Sequence, residues 1–131
     1  MAGPILALII GASAAVSPGA TSTCPLSFPQ FWTMFIRSAR YQAAHTAPVL
    51  VDTRVVDAGG GEPTLARTMV RRERLAFPVA VVPNGYVVLT RRLSSHSREV
   101  TVSREDTDMQ VRYTFHRQGC WTLVRRDDDS L

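Results

Sequence analysis

The apolar residues near the start of the chain repeat with the period of an α-helix. One stripe, with i, i+3, i+4 spacing, is formed by Phe28, Phe31, Trp32, Phe35, Ile36 and Ala39. Such a stripe is typical of an amphipathic helix that covers a large apolar surface. Ser27 and Gln30 have the spacing of a capping box, and Pro29 is tolerated in the first turn. The pattern predicts a helix beginning at residue 28 and a second short helical stretch within residues 37–46.

From residue 49 onwards the pattern changes to β-branched and alternating residues separated by Gly, Pro, Asn and Asp, which is typical of strands and turns. The segments predicted as strands are 49–57, 68–77, 79–82, 86–90, 98–104, 109–117 and 120–126. Because helices precede strands, we expect an α+β domain. In it, an N-terminal helix or helix pair packs on a strongly curved antiparallel sheet of about six strands.

The last two of these segments predict a hairpin. Apolar residues at 109, 111, 113 and 115 alternate with polar ones, so one face of the hairpin is apolar. A two-residue loop would put Phe115 opposite Thr122. A three-residue loop with Gly119 in the left-handed conformation instead pairs Phe115 with Trp121, and this second register is the prediction.

The first twenty residues have the pattern of a signal peptide. Residues 5–10 are an unbroken apolar run, and the small residues 12–14 match what a signal peptidase requires. The run is too short to cross about 30 Å of hydrocarbon. We therefore expect a signal peptide at residues 1–20, a single domain at residues 21–131 and no integral membrane span after signal removal. An uncleaved anchor and a merely apolar tail are the alternatives.

The two cysteines agree with export to the periplasm or to the medium. They are Cys24, shortly after the predicted signal peptide, and Cys120, near the C-terminus. An even number of cysteines in an exported chain predicts a disulfide bond. This bond would close a loop of about 95 residues and contribute about 4 to 5 kcal/mol by loss of unfolded-state entropy. Two unrelated thiols, or a lipidated Cys24, are the alternatives.

The charge of the chain comes from arginine. All fifteen basic residues are arginine, against eleven acidic residues, and the net charge is +4. Arginines at alternate strand positions share faces, where guanidinium groups can bind carboxylate or phosphate. The candidates are Arg72, Arg74, Arg112 and Arg125. An anionic envelope component or an acidic protein is the expected partner, and export argues against nucleic acid. The alternative is a solvated face whose charge prevents edge-to-edge aggregation.

Several short motifs together resemble a known superfamily. They are Phe28-x-x-Phe31-x-x-x-Phe35, Tyr41-Gln42 followed by His45, Thr46 and Pro48, Phe77-Pro78, and Tyr113-x-Phe115-x-x-x-Gly119-x-Trp121-x-Leu123-Val124 followed by residues 127–130. The chain resembles the exported bacterial domains of unknown function within the cone-shaped nuclear transport factor 2-like superfamily. This resemblance implies one of two roles. Enzymes of the superfamily, such as isomerases, dehydratases and cyclases, carry an Asp or His acid/base pair inside the cone, whereas relatives without one bind or assemble.

The polar residues that a cone-shaped pocket would use are Tyr41, His45, Asp52 and Tyr113. No pair among them has a spacing that requires convergence, and Arg54 lies on the same side of the strand as Asp52, so no catalytic residue is assigned. The histidines and cysteines lack zinc-site spacing and no phosphate-binding loop is present, so we expect no metal and no cofactor. We expect an exported, non-catalytic binding or protein-interaction module. The alternative is a small pocket enzyme of the cyclase or isomerase type with an acid/base residue inside the cone.

Overall fold

A computed structural model describes Gly3, Cys24, residues 27–57 and residues 59–131. Apart from Gly3, the predicted signal peptide lies outside the described residues. Two helices precede six strands, in the order α1 (Phe28–Arg37), α2 (Ala39–Ala44), β1 (Thr46–Val56), β2 (Thr64–Arg71), β3 (Val87–Ser94), β4 (Ser97–Ser103), β5 (Gln110–Gln118) and β6 (Cys120–Asp128). A short 3₁₀ turn, Arg72–Arg74, follows β2. The predicted α+β fold, with a helix pair on a curved six-stranded sheet, is confirmed.

Helix α1 forms where the apolar period predicts it. The Ser27 side chain accepts a hydrogen bond from the backbone N–H of Gln30 at 3.4 Å, which caps the first turn. The buried face of the helix consists of Phe28, Phe31 and Phe35. These three rings therefore turn towards the sheet and leave the polar side of the helix in water.

The strands lie in the order β2-β1-β6-β5-β4-β3. Every neighbouring pair is antiparallel except β1 and β6, which are parallel. The sheet is therefore mixed rather than antiparallel throughout. A hairpin turn forces its two strands to be antiparallel. Strands β1 and β6 are separated in the sequence by β2 to β5, so no turn fixes their relative direction.

Aromatic rings fill the space between α1 and the sheet. Phe31, Phe35 and Phe115 are fully buried, and Trp121 is 1% exposed. The ring centroids of Phe35 and Phe115 are 5.1 Å apart, as are those of Phe28 and Trp121. Edge-to-face contacts of this kind favour one fixed packing. This aromatic cluster occupies the inner face of the sheet, defined here as the face towards the helices.

The register of the β5–β6 hairpin differs from the prediction. Phe115 lies opposite Leu123, not Trp121, and Arg117 lies opposite Trp121. The predicted pairing of Phe115 with Trp121 is therefore wrong, because the turn is tighter than a three-residue loop. Gly119 has the left-handed conformation expected of it, with φ of 73°. The guanidinium carbon of Arg117 lies 5.7 Å from the centre of the Trp121 ring, a distance within cation–π range.

The segment 79–82 is not a strand, although its β-branched residues predict one. Val79 and Ala80 are buried, and their backbone groups bond to a side chain instead of a neighbouring strand. The Gln42 side-chain oxygen accepts from both N–H groups at 2.8 and 3.0 Å, and the Gln42 amide donates to the Ala80 carbonyl at 2.8 Å. The buried Gln42 thus replaces a strand partner for this segment.

A disulfide bond joins Cys24 to Cys120, across a sequence separation of 96 residues. The predicted pairing is therefore present, and it ties the segment before α1 to the first residue of β6. None of the helices in the described ranges is both long enough and apolar enough to cross a membrane.

Candidate functional site

Asp52 is the buried carboxylate of the inner face. It lies two residues after the fully buried Leu50 on β1, and it is itself 5% exposed. Arg126 is its register partner on β6, and the guanidinium donates to both carboxylate oxygens at 3.0 Å. Arg54 adds a third hydrogen bond at 3.3 Å. The two arginines therefore occupy the acceptor sites that a substrate would need.

The charge state of Asp52 follows from these contacts. Burial by itself raises the pKa of the Asp52 carboxyl, but the hydrogen bonds and positive charge of Arg126 and Arg54 outweigh it and hold that pKa below its usual range. A general base works best when its pKa lies near the operating pH. Asp52 is thus ionised and hydrogen-bonded on both carboxylate oxygens. It is suited to holding β1 against β6, not to accepting a proton.

Tyr113 lies beside this ion pair. It is the register partner of Arg126 on β5 and is buried. Burial raises the pKa of the Tyr113 hydroxyl, and a hydrogen bond with the backbone of Val81 partly opposes that effect. The phenol therefore stays neutral at physiological pH.

Tyr41 and His45 form a second group, at the C-terminal end of α2. Their ring centroids are 4.1 Å apart, and the His45 ring also meets Phe31 edge-on at 5.6 Å. Burial lowers the pKa of the His45 imidazole, against a smaller opposing effect of its hydrogen bond to the Trp121 backbone. Burial raises the pKa of the Tyr41 hydroxyl, which has no hydrogen-bond partner among the described residues.

The four pocket candidates thus divide into two pairs with different neighbours. The rings of Tyr41 and His45 pack against each other beside α1, whereas Asp52 and Tyr113 flank Arg126. Within the described residues, no hydrogen bond connects one pair to the other. Arg126 is not among the predicted site residues, because its position depends on the β1–β6 pairing, for which the residues carry no local signal.

Two of the four arginine candidates lie in internal ion pairs on the outer face of the sheet, defined as the face away from the helices. Arg112 donates to Asp129 at 2.8 Å, with Glu99 at 3.8 Å, and Arg125 pairs with Asp127 at 2.9 Å. Asp129 raises the pKa of the Arg112 guanidinium further. Both guanidinium groups are therefore largely neutralised by the protein itself.

The other two candidates, Arg72 and Arg74, lie in the 3₁₀ turn after β2. Arg72 donates from Nη1 to the backbone carbonyl of Thr46 at 3.0 Å, and Arg74 is exposed. Neither forms an ion pair with any described residue. Their positive charge is therefore open to an external anion.

Apolar side chains are also exposed on the outer face, at the two edge strands. Leu65 and Met69 on β2 are 69% and 61% exposed, and Leu89 on β3 is 67% exposed. The strand registers place the following residues in one row across this face: Arg67, Thr53, Asp127, Arg112, Thr101 and Leu89. A shallow cavity of about 640 Å³ lies over β3, β4 and β5. The outer face therefore combines apolar and charged groups beside a concave surface.

Across Gly3, Cys24 and residues 27–57 and 59–131, no group of three or more His, Cys, Asp or Glu residues is placed to hold a metal ion.

The chain has the nuclear transport factor 2-like fold. A solved nuclear transport factor 2-like protein from Bacteroides fragilis superposes on 79% of this chain with a TM-score of 0.62 at 14% sequence identity. This chain covers 47% of the length of that protein. No family model and no curated protein matches the sequence. The structural likeness confirms the fold that the motifs indicate, and at this level of identity it carries no activity with it.

Proposed function

We propose that this chain is an exported, non-catalytic interaction module that binds an acidic protein through the outer face of its sheet. One observation carries the proposal. The inner face, where relatives with enzymatic activity would hold a substrate, is filled by aromatic rings, while the outer face exposes apolar and cationic side chains together. The first function class expected from the sequence is therefore the better supported one.

The inner face offers little room for chemistry. The aromatic side chains between α1 and the sheet fill the inside of the cone: Phe31, Phe35 and Trp121 are all buried in contact with other rings. The Asp52 carboxylate is bonded on both oxygens. A substrate would have to displace Arg126 to reach it, leaving a buried charge without a partner.

The outer face has the composition of a protein-binding surface. Contiguous exposed apolar side chains that are rimmed by polar residues mark interaction sites. Leu65 and Met69 alternate with Arg67 and Arg71 on the outer side of β2. The arginines without internal ion pairs supply the positive charge that an acidic partner would complement.

Export determines where such a partner is met. The apolar run and small residues of the first twenty positions support a signal peptide at residues 1–20 and a mature domain within residues 21–131. The Cys24–Cys120 disulfide supports an oxidising compartment, which is the periplasm or the medium. The mature protein should therefore begin between residues 15 and 24, and intact Met1 in cytoplasmic protein from the native host would contradict this.

Binding to soluble envelope proteins of the native host tests the interaction. Leu89→Asp should abolish capture of the envelope protein that the wild-type chain retains. Val88→Asp, on the other face of the same strand, should leave that capture intact. Capture should also fall between 0.1 M and 1 M salt, because the Debye length falls from about 10 Å to about 3 Å. Capture that is the same at both salt concentrations and is unchanged in Leu89→Asp would overturn the proposal.

A small pocket enzyme of the cyclase or isomerase type remains the second candidate because of one observation. The pKa of His45 is lowered, so the imidazole stays neutral, and it packs against Tyr41, whose hydroxyl has no partner among the described residues. Turnover of a small molecule that is lost in His45→Ala or Asp52→Asn, with the thermal melt unchanged, would establish this candidate and overturn the non-catalytic proposal.

A further inference from the structure

A cavity of about 330 Å³ lies on the outer face where strands β1 and β6 separate. Thr46 lies opposite Leu123 and Val51 opposite Arg125, so four residues of β1, 47–50, face only Val124 on β6. Pro48 stands in this interruption and has no N–H to donate to the ladder. The interrupted pairing of β1 with β6 therefore opens the cavity, and the walls of the cavity include Pro48 and Val124.

Arg72 is the cationic group of this cavity. Its Nη1 atom donates to the carbonyl oxygen of Thr46 at 3.0 Å, and Thr46 is buried, so one side of the guanidinium is fixed by the backbone. No aspartate or glutamate belongs to the described lining of the cavity. Arg112 and Arg125 on the same face each have an internal carboxylate, and Arg72 differs from them in this respect.

The opposite wall carries hydrogen-bonding groups from the β5–β6 hairpin. His116 lines the cavity, and its Nδ1 atom is 2.8 Å from the Ser97 hydroxyl oxygen. That contact holds the imidazole and leaves Nε2 as the ring nitrogen available to a ligand. Gln118 and Thr122 line the same wall. A guanidinium, an imidazole, an amide and a hydroxyl can all donate hydrogen bonds.

We propose that this cavity binds one oxyanion group, a carboxylate or a phosphate, with Arg72 as its ion-pair partner and His116 as a second donor. The inference deepens the proposed function and rests on it, because it names the chemical group of an acidic ligand that this part of the outer face recognises. The cavity volume is at the lower end of the range for small-molecule sites. One anionic group with a short carbon skeleton fits that volume, whether it is a free ion or the end of an acidic side chain.

The test uses the disulfide-bonded protein and follows its amide and imidazole resonances during titration. Inorganic phosphate and succinate are the free-ion probes, and a hexaglutamate peptide, with hexaglutamine as its control, delivers the same carboxylate from a chain. Perturbed resonances should centre on residues 116–122. Arg72→Gln should weaken binding by about tenfold or more, the loss expected for a charge-assisted hydrogen bond.

The matched control is Arg74→Gln, which removes the same charge from the same turn but outside the cavity lining. It should leave the affinity within about twofold, as expected for loss of a screened surface charge. His116→Gln should weaken binding while the fold is retained. Binding of the free ions identifies a small-molecule source, and binding of hexaglutamate alone identifies a partner's side chain.

Absence of Arg72-dependent binding for every probe would overturn the inference. Equal losses in Arg72→Gln and Arg74→Gln would also overturn it, because they would show attraction by net charge alone. Neither result changes the comparison of Leu89→Asp with Val88→Asp, which tests separately whether the outer face binds a protein. Failure of the oxyanion site can therefore be distinguished from failure of the proposed function.

Discussion

At the scale of single residues, the environment of Asp52 is set by a residue 74 positions away in the sequence. The strand pattern correctly places Arg54 on the same side as Asp52, and the two are 3.3 Å apart. The Arg54 side chain, however, is 64% exposed, and exposed ion pairs contribute little stability. Arg126 is 16% exposed, so its pair with Asp52 is the one that matters energetically.

The sequence alone could not identify Arg126 as that partner. Its place depends on the parallel pairing of β1 with β6 and on a register shift in the β5–β6 pair, where Val124 is the extra residue. One extra residue turns every following side chain to the other face of the sheet. Whether Arg125 or Arg126 faces inward is therefore decided by the shift, which leaves no signal in the hydrophobic pattern.

The Asp52–Arg126 pair makes a quantitative prediction. Arg126→Leu should lower the free energy of unfolding by about 3 kcal/mol at pH 7, because the buried Asp52 loses its main counter-charge. Urea denaturation measures this loss, and Arg54→Gln, as the control, should change stability by less than about 0.5 kcal/mol. A loss for Arg126→Leu no greater than that of the control would contradict this account.

The pH dependence of that loss has a definite sign. In the wild type, the pKa of Asp52 is lower in the folded than in the unfolded state, so its stabilisation is present above about pH 4 and is lost as the pH falls through the folded-state pKa. In Arg126→Leu, burial is left as the main influence and favours the protonated acid. The difference in stability between the two proteins should therefore shrink in acid.

At the scale of elements, helices α1 and α2 were predictable and the segment after β2 was not. The stripe from Phe28 to Ala39 has one interpretation, because its period matches only a helix. The segment 79–82 is short and apolar, and a segment of this kind can form either a strand or buried irregular chain. The deciding contact is the buried Gln42 on α2, whose amide bonds the backbone of Val79 and Ala80.

Gln42→Ala should therefore loosen the segment 79–80 and destabilise the domain. Three hydrogen bonds to buried backbone groups are lost, and unpaired buried groups are costly, so we expect a loss of about 3 kcal/mol or more. Amide hydrogen exchange at Val79 and Ala80 should accelerate together with the loss in unfolding free energy. Gln30→Ala, the same change at an exposed position of α1, is the control. Unchanged exchange at both amides would contradict the role given to Gln42.

At the scale of the whole molecule, the order of elements predicted the fold class but not the strand order. Local patterns specify hairpins such as β5–β6, because a short turn joins their strands. The parallel contact between β1 and β6 joins residues more than seventy positions apart, so it forms only when distant parts of the chain assemble into one sheet. The interruption of that contact at Pro48 also forms the Arg72 cavity, so this site could not be read from the sequence.

The Cys24–Cys120 disulfide acts at this same scale, because it closes almost the whole domain into one loop. The bond spans 96 residues, and a long loop loses much conformational entropy in the unfolded chain. The double variant Cys24→Ser, Cys120→Ser should therefore be about 2 to 5 kcal/mol less stable than the oxidised protein in urea denaturation. Reductant should destabilise the wild type by a similar amount and leave the double variant unchanged. Equal stability of the oxidised and reduced protein, or two free thiols in protein isolated from the periplasm or the medium, would show that the chain does not depend on this bond.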